Sequence, residues 1–250
     1  MRASWTGFCS ALLFITILPA GRTVTYSPVA MIRFFPVVGL LLGSLLAGLD
    51  MIAARFWPPA AVAVLDVFFL VAVTGAFHLD GLGDTADGIF SHRSRERALE
   101  IMKDSRTGMM GLVAVVCCLG LKTAGIYSLK TVTAQPWTAL LLLIVPAYAR
   151  AAMIFGIKYM NYGREKTGTG LDLFTRGLAR MDFVFFVIPV AVSLFLGYKG
   201  LVLNAAFAIT LVGVLGFYKT KMGCITGDML GALCETMETV LFLAAGAALL

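Results

Sequence analysis

Three aspartates carry the first chemical signal. In His78-Leu79-Asp80-Gly81-Leu82-Gly83-Asp84-Thr85-Ala86-Asp87-Gly88, the carboxylates of Asp80, Asp84 and Asp87 stand at i, i+4 and i+7, so one helical face presents all three. Like charges at this spacing repel and weaken a helix. At the end of an apolar segment they cost more still, unless a cation compensates. Hard oxygen ligands suit Mg2+, commonly held by a few carboxylates together with substrate phosphates. Gly81, Gly83 and Gly88 strip side chains from the same stretch, so a phosphate or a second helix can approach its backbone. A solvated acidic helix start, favoured by the dipole, would not call for three carboxylates in register with glycines.

Two further constellations surround this one. Downstream, Lys103-Asp104-Ser105-Arg106-Thr107-Gly108 precedes an apolar run. Arginine forks and the lysine point charge suit phosphate oxygens, and Asp104 suits a further metal ligand or a general base toward a hydroxyl. Arg93, Arg95 and Arg97 read more simply as positive-inside residues. Near the C-terminus, Gly223-Cys224-Ile225-Thr226-Gly227-Asp228-Met229-Leu230-Gly231 leads to Glu235 and Glu238. Asp228, Glu235 and Glu238 share one helical face, at a high cost so close to an apolar segment. Helix capping is a credible alternative for Asp228, though function is favoured there, and a poorer one for Glu235. Arg150, inside an apolar run, needs a partner such as Glu235, or a phosphate. The segment Gly163-Arg164-Glu165-Lys166-Thr167-Gly168-Thr169-Gly170 is basic and glycine-rich, yet it matches no Walker loop and reads equally as a connector. His78 abuts the aspartates and reads as either an interfacial or a functional histidine; His92 is expected to be exposed.

These residues must be positioned by membrane helices. With 60% hydrophobic and 14% charged residues and a mean hydropathy of +0.91, the chain is far from the roughly 25% charged content of soluble domains. Apolar runs at approximately Ile32–Phe56, Ala60–Phe77, Met109–Leu129, Trp137–Ile157, Phe183–Tyr198, Leu201–Phe217 and Leu230–Leu250 predict an all-α, polytopic bundle of about seven spans, between six and eight. All 250 residues are expected to form one membrane domain. Fifteen of the twenty Lys and Arg residues fall at the N-terminus and on alternate connections, whereas the opposite connections hold only Arg55, Lys130 and Lys199. The bias predicts a cytosolic N-terminus and accounts for the net charge of +6 without nucleic acid. Phe8–Leu18 resembles a signal peptide, but Thr16 and Ser10 interrupt it and it is short for a span; it is expected to be a retained interfacial or re-entrant helix. The five cysteines form no C-x-x-C pair and read as small packing residues.

The motifs together resemble the cobalamin synthase (adenosylcobinamide-GDP ribazoletransferase) family. The likeness rests on Gly75 with His78-Leu79-Asp80-Gly81-x-x-Asp84-Thr85-Ala86-Asp87-Gly88, on Leu99-x-Ile101-Met102-Lys103-Asp104-Ser105-Arg106-x-Gly108-x-x-Gly111, and on Thr226-Gly227-Asp228-x-Leu230-Gly231-Ala232 with Glu235. Ala11-Leu12-x-Phe14-x-Thr16-x-Leu18-Pro19 and Pro36-x-Val38-Gly39 are similar too. Gly83 stands where the family commonly has alanine, and Cys224 where it has a second glycine. The resemblance implies a Mg2+-dependent phosphotransferase in the cytoplasmic membrane of a bacterium or archaeon, with its site facing the cytosol. It would join adenosylcobinamide-GDP to α-ribazole or its 5′-phosphate and release GMP, completing coenzyme B12. It also leaves room for a homo-oligomer and for association with other cobamide-assembly enzymes. On this reading Asp80, Asp84, Asp87 and Asp228 hold Mg2+, and Asp87 or Asp104 takes the hydroxyl proton. His78, Lys103, Arg106, Gly108, Arg150, Arg164, Thr226, Gly227 and Glu235 contact the substrates.

Other classes fit less well. A CDP-alcohol phosphotransferase would carry D-x-x-D-G-x-x-A-R, which is absent: Asp80 and Asp84 are four apart, and no Arg follows at the required place. An aspartate-dependent prenyltransferase is a third enzyme class. A cation-coupled transporter would place its carboxylates near the membrane midplane, not where a span meets a long charged loop.

Overall fold

The computed structural model of the chain describes residues 2–21, 25–164 and 170–247. Arg22 and residues 165–169 of the glycine-rich segment lie outside the described residues. The described chain is helical: α1 (Arg2–Ile15), α2 (Pro28–Met31), a 3-10 turn (Ile32–Phe34) and α3 (Phe35–Ala53) are followed by α4 (Pro59–Val73), α5 (Phe77–Ile89), α6 (Arg95–Ile101), α7 (Met109–Val132) and α8 (Trp137–Tyr159). After 3-10 turns at Leu171–Phe174 and Arg180–Phe186 come α9 (Val187–Leu194), α10 (Tyr198–Lys221) and α11 (Gly227–Ala245). Prolines in the first turns of α2, α3 and α4 preset the helical φ where no N–H partner is lost.

Four helical stretches are long and apolar enough to cross a membrane: Pro28–Ala53, Met109–Val132, Trp137–Tyr159 and Tyr198–Lys221. A fifth would be counted if α4 and α5, which meet at 88°, formed one broken span. The count differs from the seven apolar runs for identifiable reasons. The run from Ala60 to Phe77 ends where Gly75 and Ala76 both adopt left-handed φ (59° and 58°), turning the chain sharply. The run from Phe183 to Tyr198 divides into a 3-10 turn and the eight-residue α9, about 12 Å of helix against a hydrocarbon core of about 30 Å. The third, α11, is 19 residues long but carries Asp228, Glu235 and Glu238, and it is buried among its neighbours. The N-terminal stretch forms the short apolar helix α1.

Close helix contacts are made where side chains are missing. A Cβ on Gly39 or Gly43 of α3 would sit 2.5 and 2.0 Å from backbone atoms of Ala147 or Pro146 and Leu143 in α8, the small-residue packing that substitutes for hydrophobic drive in lipid. Gly81 of α5 meets the backbone of Asp228 in α11 in the same way, at 2.7 Å. At the end of the bundle where α3 and α7 finish, Lys130 pairs with the buried carboxylates of Asp50 and Asp66.

Candidate active site

The bend at Gly75 and Ala76 detaches α5 from α4 and lays it against α7 and α11. Gly81 faces α11, and the helical period places Asp80, Asp84 and Asp87 on another face, with Asp87 turned to the start of α7. Asp80 is exposed, and Asp84 and Asp87 are half-buried. Across from them, Asp228 lies in the first turn of α11. A guanidinium nitrogen of Arg164 donates to Asp228 Oδ2 and, at 3.2 Å, to the Met102 carbonyl.

Asp87, expected as a metal ligand or as the base, is instead engaged by backbone. Gly108 N–H donates to its Oδ2 at 2.6 Å, and Gly111 N–H to its Oδ1 at 2.8 Å. The first N–H groups of a helix lack intrahelical partners, so this carboxylate satisfies the start of α7 and suits its dipole. A Cβ on Gly108 or Gly111 would come within 2.4 Å of an Asp87 carboxylate oxygen. Gly108, expected to meet substrate, thus belongs to a latch between α5 and α7.

Asp104 and Arg106 bind each other. The Arg106 guanidinium donates to both Asp104 oxygens in three contacts of 2.5 to 3.1 Å, and the Arg106 backbone N–H adds a fourth at 3.1 Å. These bonds hold the exposed Asp104 carboxyl down at about 2, which opposes a role as base in this arrangement. Lys103 is exposed beside them. Thr226 is buried and caps α11: its hydroxyl accepts from Met229 N–H at 3.2 Å and lies 3.4 Å from Asp228 Oδ2. Gly227 leaves space for Gly170, whose Cβ would sit 3.2 Å from Gly227 Cα.

Deeper in the bundle the charges form a closed set. Arg150 does pair with an intramembrane carboxylate, that of Glu238, three residues beyond Glu235. Lys122 bridges Glu235 at 2.6 Å and Glu238 at 2.8 Å. Two cations and two carboxylates, all nearly inaccessible, balance where a lone charge would be prohibitive. Glu235 and Arg150 are therefore occupied with each other's neighbours and are remote from solvent. Lys122 and Glu238 were visible only as charges within apolar runs; nothing in their spacing paired them. His78 is 1% exposed, and neither ring nitrogen has a hydrogen-bond partner.

The donor set fits Mg2+ in one way only. Among the described residues no group of three or more His, Cys, Asp or Glu side chains is gathered closely enough to hold a metal. Asp80 and Asp84, however, meet no hydrogen-bonding or ion-pairing partner among the described residues. Asp84 faces the charges of Asp80, Asp228 and Asp87 against that of Arg164. Such an uncompensated pair suits an ion shared with substrate phosphates, Mg2+ being seldom held in an all-protein cage. Gly83, the departure from the commoner alanine, has its nearest side-chain neighbour Val115 at 3.7 Å from a Cβ, so either residue fits.

Comparison with known proteins identifies the family. The cobalamin-5-phosphate synthase family model matches residues 7–246. Similar curated relatives include the adenosylcobinamide-GDP ribazoletransferases of Acetivibrio thermocellus, 40% identical over 210 residues (82% of each chain), and of Roseiflexus sp., 38% identical over 235 residues (92% of this chain, 85% of the relative). That of Desulforamulus reducens is 37% identical over 237 residues, 93% of each chain. No solved structure matches the chain. A family model spanning nearly every helix, and relatives similar over most of their own length, show that this chain belongs to the cobalamin-5-phosphate synthase (CobS) family.

Proposed function

We propose that this membrane protein transfers the cobinamide phosphate of adenosylcobinamide-GDP to a hydroxyl of α-ribazole, or of its 5′-phosphate, with GMP as the leaving group. The observation that carries the chemistry is the charge imbalance at one end of the bundle. Asp80, Asp84 and Asp228 face one another there, and among the described residues the cation set against them is the guanidinium of Arg164. The relatives' printed name supplies the substrates.

Mg2+ held by Asp80 and Asp84 together with substrate phosphates would neutralise charge on the diphosphate and align it. Arg164 leaves or shares Asp228 to bind a phosphate oxygen, as its planar fork allows. Lys103 and Arg106, exposed on the same loop, steady the GMP side. The hydroxyl proton goes to the Asp80–Asp84 pair, because Asp87 and Asp104 already accept two or more hydrogen bonds each. Phosphoryl transfer asks little else of a protein beyond positioning and charge stabilisation. The basic-residue asymmetry supports a cytosolic N-terminus and a site at the cytosolic face of the cytoplasmic membrane, with seven apolar runs contributing to the bundle.

The test is release of GMP by the purified protein in detergent or lipid with Mg2+. GMP should appear from adenosylcobinamide-GDP only when α-ribazole or its phosphate is present, and only while the divalent ion is available. No release, from protein that still binds Mg2+, sinks the assignment.

A further inference from the structure

We infer that Arg164 is a tethered competitor for the divalent cation: its guanidinium holds Asp228 until a cation is bound, and then passes to a phosphate oxygen of the substrate. The inference rests on the metal-assisted transfer proposed above and concerns how that same site is regulated.

Charge is the first ground. Asp80, Asp84 and Asp228 face one another, and among the described residues Arg164 is the cation set against them. Three carboxylates against one guanidinium leave two negative charges, the complement of one divalent cation. Arg164 donates to Asp228 Oδ2, so Asp228, unlike Asp80 and Asp84, already has a cationic partner. Among the described residues no three acidic groups gather closely enough to hold a metal, and the guanidinium is what keeps the third carboxylate engaged. A guanidinium and a divalent cation drawn to one carboxylate repel each other, so each weakens the other's hold.

The tether is the second ground. Gly163 N–H donates to the Ile225 carbonyl, and Ile225 N–H to the Asn161 carbonyl, both at 2.9 Å. Gly163 permits this approach, since a Cβ there would stand 2.5 Å from Cys224 Sγ. Tyr162 adds a ring contact with Phe174 at 5.0 Å. The backbone just before Arg164 is therefore pinned beside the start of α11. A guanidinium released from Asp228 stays within side-chain reach of the site, and its next contact needs no diffusive encounter.

The guanidinium also has a use for a better partner. It donates to the Met102 carbonyl at 3.2 Å, next to Lys103, so Arg164 ties the segment after α8 to both α11 and the Lys103–Gly108 loop. Its Nε, however, is buried without a partner. A phosphate, with several oxygens, can match more of the planar fork than this pairing does.

The test starts from metal alone. Mn2+ binding to the purified protein in detergent, followed by electron paramagnetic resonance without substrate, should be about tenfold tighter in Arg164→Gln than in wild type. Arg164→Lys keeps the charge and should bind Mn2+ as wild type does. A glutamine variant with unchanged or weaker affinity, or a lysine variant as tight as the glutamine one, overturns the inference. With Mg2+ saturating, Arg164→Gln should instead raise the KM for adenosylcobinamide-GDP; an unchanged KM would overturn the phosphate contact. Should Arg164→Gln fail to fold, wild type answers alone. Phenylglyoxal modification of Arg164, read by mass spectrometry, should quicken when Mg2+ is added, and an unchanged rate overturns the competition. Lack of GMP release from wild type, with the Mn2+ shift present, would overturn the transfer reaction and leave the competition standing.

Discussion

Two clusters of charge in this bundle use the same residue types to opposite ends. In the interior, Lys122 and Arg150 meet Glu235 and Glu238, two charges of each sign closed off from solvent. At the end of the bundle Asp80, Asp84 and Asp228 share one guanidinium and are partly open. A balanced buried set has nothing left to bind, and its value lies in holding α7, α8 and α11 in register. An unbalanced, accessible one retains a demand for positive charge that a cation bridging phosphates would meet. The balance of charge, more than the presence of carboxylates, separates scaffold from site.

The largest expected effect tests the open cluster. Asp84→Asn should lower GMP release at least about a hundredfold while the protein elutes and melts like wild type. Substantial residual turnover would remove Asp84 from the site. The closed cluster should behave in the reverse sense. Glu238→Ala strands Arg150 in the interior and should cost about 3–5 kcal/mol of stability, read as a lower melting temperature in detergent. Replacing Lys122 and Glu235 together by Met and Leu should cost less than either change alone; additive losses would mean that the set is not a closed unit.

The Asp87 latch comes next in size. Gly111→Ala should cost about 1–3 kcal/mol by pushing the carboxylate off its two N–H donors. Adding Gly111→Ala to Asp87→Asn should then change stability little further, since both break one contact. Additive effects, or a change in Mg2+ dependence confined to Asp87→Asn, would restore Asp87 to the metal site. The smallest effect belongs to Asp104→Asn. Asp104 is depressed from 3.8 to about 2, so what its pairing contributes is complete above 3.8 and fades as pH falls through about 2. The variant should melt slightly below wild type, since an exposed pair contributes little, and by the same amount throughout pH 4 to 7; a difference that grows across that range would contradict this.

Much of the site was readable from residue types. The spacing of Asp80, Asp84 and Asp87, and the glycines among them, marked α5 before any helix was placed. Asp228 and Arg164 were also singled out, although no pattern in the sequence joins residues 64 positions apart. That Asp87 accepts hydrogen bonds from the start of α7 is not legible in sequence, because a carboxylate ligand and a carboxylate serving another helix's N–H groups look identical there. Thr226 was grouped with substrate contacts when its immediate work is to cap α11. Arg150's need for a carboxylate partner was legible from its place in an apolar run, but the choice of Glu238 over Glu235, one helical turn away, was not. The run from Ala60 to Phe77 carried its breaker in Gly75, yet the 88° turn also needed Ala76 to adopt a left-handed φ, which alanine seldom does by itself.

Composition and periodicity by themselves determined a helical membrane protein with an acidic site at the end of an apolar run, because hydropathy and charge spacing are local properties that burial must respect. Tertiary structure decided which charges are satisfied. Whether a carboxylate meets a lysine, a backbone N–H or open space depends on which helices pack side by side. Those neighbours are chosen by glycine contacts such as Gly81 on Asp228 and Gly39 on Ala147, which follow from the whole bundle's packing and from no single segment.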